Sequence, residues 1–82
     1  MQVIKRDGST VNFDKMKIRE AVCKSMKNGS GIYLPDIARL IANDAEKYFS
    51  KEDETPTIYK IESYVYDRLV HYGQSVTAKA YE

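Results

Sequence analysis

Turn and helix-breaking residues divide this chain so regularly that they limit the folds open to it. Asp7-Gly8 comes first, then Asn28-Gly29-Ser30-Gly31, the polar and acidic stretch from Ser50 to Glu54, and Gly73. Gln2-Val3-Ile4-Lys5 and Thr10-Val11-Asn12-Phe13, rich in branched residues, flank the first breaker and read as two short strands. Asp-Gly between them suits a type I′ hairpin turn, which needs positive φ at both central positions. That turn pairs Arg6 with Ser9, Lys5 with Thr10 and Ile4 with Val11. Alternation then sets Val3 and Lys5 on one face, Ile4 and Arg6 on the other.

Each later interval has room for one helix. Asp14 is placed to cap the first, and Phe13 before it can pack on Ile18 as a hydrophobic staple. Its inward stripe is Ile18, Ala21, Val22, Ser25 and Met26, with Lys15, Arg19 and Lys27 outside. Pro35 opens a second helix with the stripe Ile37, Leu40, Ile41, Ala45 and Tyr48. Thr55 or Thr57 caps a third, which turns Ile58, Ile61, Val65, Leu69 and Tyr72 inward and ends at Gly73. Ser75 or Thr77 begins a fourth, reading as a truncated helix stopped at Glu82. The expected fold class is α+β, mostly α: a helical bundle capped by a small N-terminal β-hairpin, one domain over residues 1–82. A helix stopped one turn after it starts suggests a fragment of a longer chain.

Composition removes several function classes. Eighty-two residues carry one modest core and are too few for most complete enzymes. The single cysteine, Cys23, forms no internal disulfide, and Cys23 with His71 alone builds no zinc site. Cys23 lies in the apolar half of its helix, where a structural thiol is favoured over a reactive one. His71, near a helix end, has no evident nucleophile partner, so no catalytic residue is assigned. Glu52, Asp53 and Glu54 lack the spacing of a calcium loop and read as solvated surface, so no metal ligand is assigned either. Tyr48 and Tyr72 fall on inward stripes, whereas Tyr59 and Tyr66 face the other way, toward a possible partner. No apolar run approaches the length of a membrane span and no basic-then-apolar leader opens the chain, so a cytoplasmic protein is expected.

The charge is uneven. A net +1 conceals seven cations against three anions in residues 1–27, and four against seven in residues 28–62. A globally basic nucleic-acid binder lacks that pattern, and no direct nucleic-acid binding is expected. A compact anion held by the N-terminal third fits it. Neither a G-x-x-x-x-G-K-[ST] loop nor a G-x-G-x-x-G turn occurs. Instead Lys5 and Arg6 sit at the hairpin turn and Lys17 in the first turn of the next helix. If the hairpin folds onto that helix, all three can share polyphosphate oxygens, helped by the helix dipole. Solvated surface cations are the alternative.

Val3-Ile4-Lys5-Arg6-Asp7-Gly8, then Phe13-Asp14 and Lys17-Ile18, resembles the opening V-x-K-R-D-G…F-[DN]-x-x-K-I of the ATP-cone domain. The resemblance continues through Ile61, Val65 and Leu69 to Ala78-Lys79-Ala80-Tyr81, covering nearly the whole chain in order. It implies a four-helix bundle under a small sheet, and a regulatory domain that binds ATP or dATP, with or without magnesium, and changes subunit association or access to a catalytic centre. It implies Lys5, Arg6 and Lys17 as phosphate ligands, with Lys79 facing either the phosphates or solvent. Val3 and Ile18 would line the adenine, with Ile58, Ile61 and Glu62 beside base and ribose. Asp7 and Gly8 would shape the turn. Relatives continue past A-K-A-Y into a Y-R pair that is missing here, and some carry a polar residue where this chain has Val11.

Such domains head ribonucleotide reductase catalytic subunits, and the run from Val3 to Ile18 with the A-K-A-Y ending looks most like the anaerobic ribonucleoside-triphosphate reductases. The implied partners are the parent's catalytic domain and another cone through nucleotide-dependent oligomerisation. A nucleotide-responsive transcriptional repressor also carries the domain, behind a zinc ribbon whose cysteine pairs this chain lacks. A non-catalytic helical interaction domain, using Tyr59 and Tyr66, is the third reading.

Overall fold

The computed structural model describes residues 1–82. Strands β1 (Gln2–Ile4) and β2 (Thr10–Asn12) form an antiparallel pair, followed by helices α1 (Lys15–Asn28), α2 (Pro35–Ser50), α3 (Ile58–His71) and α4 (Ser75–Tyr81). The expected class, mostly helical with a small N-terminal sheet, is the one observed. Asp14 caps α1, its carboxylate accepting from the Met16 N–H at 3.0 Å. Thr57, not Thr55, caps α3 by accepting from the Lys60 N–H. Ser75 opens α4, and Thr77, the other candidate, is fully buried within it.

The hairpin register is one residue away from expectation. Val3 lies opposite Val11 and Ile4 opposite Thr10, so Arg6 does not pair with Ser9, nor Lys5 with Thr10. The reason is at Asp7. A type I′ turn needs Asp7 at positive φ, which its Cβ disfavours, and only Gly8 adopts it, at +86°. Asp7 is held instead by the Ser9 N–H at 3.0 Å and the Ser9 hydroxyl at 2.6 Å, both donating to Oδ1. The Gly8 N–H reaches the Lys5 carbonyl at 3.0 Å, and the Lys5 N–H the Ser9 carbonyl at 2.8 Å. Arg6, Asp7 and Gly8 thus form a three-residue loop with the glycine supplying the left-handed step.

On its other side β1 meets the segment before α3. The Ile4 N–H donates to the Pro56 carbonyl at 2.9 Å, and Ile4 forms an isolated parallel bridge with Thr57. Pro56 is itself buried. A lone two-stranded hairpin this short has little stability in water, so this third segment and the burial of Val3 anchor it.

The core joins Val3 to all four helices: Ile18, Val22 and Met26 of α1, Ile41 and Phe49 of α2, Ile61, Val65 and Leu69 of α3, Ala78 of α4. Two stripes differ from expectation. In α1 Ala21 is exposed, while Ile18, Val22, Ser25 and Met26 are buried as expected. In α2 the buried face is Ala38, Ile41, Ala42, Ala45 and Phe49, leaving Leu40 and Tyr48 exposed and Ile37 half-buried. Three alanines on one face present a flat surface for close helix approach, whereas the larger stripe would hold neighbours apart. Tyr48 lies outside, stacked on Tyr64 with ring centroids 4.7 Å apart.

The end of α1 passes close to α4. A Cβ at Gly29 would lie 2.9 Å from the Ser25 carbonyl and 3.1 Å from both Thr77 Cα and Ala80 Cβ, so glycine permits that contact. The α2 phase is directly testable by denaturant unfolding. Ile41→Ala, at a fully buried site, is expected to cost about 2–5 kcal/mol. Leu40→Ala, at an exposed site, should cost no more than about 0.5–1 kcal/mol.

Candidate functional site

The loop between β1 and β2 projects Arg6 onto α3. Its Nη2 donates to both Glu62 oxygens, at 2.9 and 2.7 Å. Its guanidinium carbon lies 5.5 Å from the centre of the Tyr59 ring, one α3 turn away. The hydrogen bond to Glu62, reinforced by that carboxylate's charge, holds Arg6 more firmly protonated than usual. Asp7 has its carboxyl held below the usual range by the Ser9 hydrogen bonds, which keeps the loop in shape. Nε and Nη1 of Arg6 make no hydrogen bond to protein.

Lys5, Lys17 and Lys79 are exposed, and none takes part in an ion pair. Lys15 is committed elsewhere, to Glu46 on α2 at 3.5 Å. The N-terminal end of α1 already holds the Asp14 carboxylate, so it offers an incoming anion less than a bare helix end does. Among the apolar candidates, Val3, Ile18 and Ile61 are core members at 5%, 8% and 3% exposure. Ile58 is half-buried against that core and has surface to offer a ligand. Glu62 is also half-buried.

Two hollows frame α3 differently. One of about 300 Å³ is lined by Glu62, Ser63, Tyr66, Tyr81 and Glu82, and so shares Glu62 with the Arg6 pair. Burial holds the Tyr81 hydroxyl protonated up to about 12, with the Glu62 charge adding to the effect and Arg6 opposing it. The larger hollow, about 580 Å³, has Glu52, Asp53, Glu54 and Asp67 around Tyr48, Phe49 and Tyr64. Four carboxylates against one lysine, Lys60, make it a poor host for a phosphate.

The ATP cone domain family model matches residues 1–82, the whole chain. The chain belongs to the ATP-cone family. A search of curated proteins finds no match. Cones are regulatory, non-catalytic domains that bind ATP or dATP as effectors. The cone holds no cluster of three or more His, Cys, Asp or Glu side chains suited to a metal ion. No helix of the cone is long and apolar enough to cross a membrane.

Several side chains play parts that their sequence patterns did not reveal. Tyr59 is exposed, but lies beneath Arg6; Tyr66 is half-buried against the core rather than free. Tyr72 donates to Asp44 Oδ2 at 2.7 Å, where Arg68 also arrives at 3.4 Å, joining α3 to α2. The need of a half-buried tyrosine hydroxyl for a partner was the available signal. Cys23 is half-buried and packs on the core, and His71 is exposed, its ring 5.1 Å from that of Tyr72.

Tyr81 supplies a pH prediction. Its folded value, about 12, exceeds the ordinary 10.0, so between those values the native state keeps a proton that the unfolded chain loses. Stability therefore falls as pH rises from 10 through about 12. Tyr81→Phe should lose less stability over that interval and should remove the last-titrating component from the tyrosinate absorbance curve.

Proposed function

We propose that this cone is the effector-binding regulatory domain of a ribonucleotide reductase, most similar to the anaerobic ribonucleoside-triphosphate enzymes. In this reading ATP permits and dATP suppresses deoxyribonucleotide synthesis by a catalytic domain outside these residues. Lys5, Arg6 and Lys17 hold the triphosphate, and Lys79 approaches it from α4. Ile58, Ile61 and Glu62 border base and ribose, with Val3 and Ile18 behind them. Magnesium would accompany the phosphates as a counter-charge. The oxidoreductase chemistry, the contacts to the catalytic domain and any pairing of cones belong to the same proposal.

The observation that carries it is the Arg6 loop. It offers an arginine whose Nε and Nη1 are unbound, next to an unpaired lysine, where the hairpin joins α3. Those donors suit a triphosphate, because guanidinium edges match phosphate oxygens and lysine adds a mobile point charge. The larger, acidic hollow repels the same ligand. The cone would act by linkage: ATP and dATP differ by one ribose hydroxyl, so a contact made by only one of them must favour one arrangement. A difference of about 1–3 kcal/mol suffices for such coupling.

Titration calorimetry with ATP and with dATP tests this reading, with and without magnesium. Binding of both is expected. Lys5→Ala and Lys17→Ala should each weaken it about tenfold, the scale of one lost charge-assisted hydrogen bond. Both side chains are exposed, so thermal unfolding should barely change. A folded protein that binds neither nucleotide at millimolar concentration would sink the proposal.

A further inference from the structure

Arg6 already has an anion. Its Nη2 contacts both oxygens of Glu62, from a loop whose strand is fastened to the segment before α3 by the Ile4 to Pro56 hydrogen bond. The ion pair is exposed, at 61% for the Arg6 side chain and 38% for Glu62, so water screens it and it can be exchanged. Tyr59 beneath the guanidinium limits where that plane can lie. A triphosphate approaching the free Nε and Nη1 of Arg6 would bring several negative charges close to the Glu62 carboxylate. The two anions cannot both gain fully from one cation.

We propose that Glu62 is an internal competitor for Arg6: it occupies the guanidinium in the free protein and is displaced when a triphosphate binds. This rests on the nucleotide reading above and adds a residue that sets affinity by opposing the ligand. Displacement breaks a side-chain tie between the hairpin loop and α3, so occupancy of the phosphate site is transmitted to the helix that carries Glu62. It also frees the Glu62 carboxylate, beside the hollow shared with Tyr66 and Tyr81, to accept hydrogen bonds. A positioning role, in which Glu62 orients Arg6 toward the phosphates, makes the opposite prediction for the variant below.

The test is a double-mutant cycle read by calorimetry, with ATP and with inorganic tripolyphosphate, which has neither base nor ribose. Glu62→Gln keeps size and hydrogen bonding but removes the charge. It should tighten tripolyphosphate by about two- to fivefold, the range of one exposed ion pair. In an Arg6→Gln background the same change should leave the tripolyphosphate affinity unaltered. Unchanged or weaker tripolyphosphate binding by Glu62→Gln overturns the competition while leaving the nucleotide reading standing. Equal tightening without Arg6 also overturns it, showing only the general field of a carboxylate. If none of the four proteins binds either ligand, the nucleotide reading fails and the competition falls with it. Matching far-ultraviolet circular dichroism and thermal midpoints confirm that folded proteins are compared.

Discussion

The hydrogen bond from the Ile4 N–H to the Pro56 carbonyl is the constraint on which the candidate site depends. Strands of three residues cannot hold a hairpin in place by pairing alone. This bond and the adjoining Ile4–Thr57 bridge fasten β1 to the residues that cap α3. Val3 then enters the core, and the loop after β1 overlies the first turns of α3. Arg6 reaches Glu62 and Tyr59 for that reason. The chemistry of the site thus follows from a backbone contact between segments more than fifty residues apart.

That contact is also where the sequence was hardest to read. Helices α1, α2 and α3 were legible because each has a breaker before it, a cap or proline at its start, and an apolar stripe: Asp14, Pro35 and Thr57 all occupy their expected places. The phase of α2 was not, since Leu40 and Tyr48 carry more apolar bulk than Ala38 and Ala42. Packing rewards closeness as well as apolar bulk, and alanine gives closeness. The hairpin register turned on a single conformational preference, Asp7 refusing positive φ, and a shift of one residue changes every pairing.

The site was legible in a different sense. Charge asymmetry singled out the N-terminal third, and Lys5, Arg6 and Lys17 emerged as candidates from their positions alone. Glu62 came only from the family resemblance, as a neighbour of base and ribose; that it would meet Arg6 depends on tertiary placement across 56 positions. Pattern reading assigns a cation to an anion it expects from outside. It does not foresee an internal carboxylate taking the same place, nor the aromatic ring of Tyr59 below it. Likewise Val3, Ile18 and Ile61 read as binding surface by resemblance, while their burial ties them first to stability.

Residue-resolved chemical shifts during an ATP titration report most directly where a nucleotide docks. The predicted result is a set of saturable shifts in the Lys5–Ser9 loop, the first turn of α1 and the Ile58–Glu62 turn of α3, together with a change at the Arg6 Nε–H. Shifts confined to Glu52–Pro56 and Asp67 around the acidic hollow, or none at all in a folded protein, would contradict it.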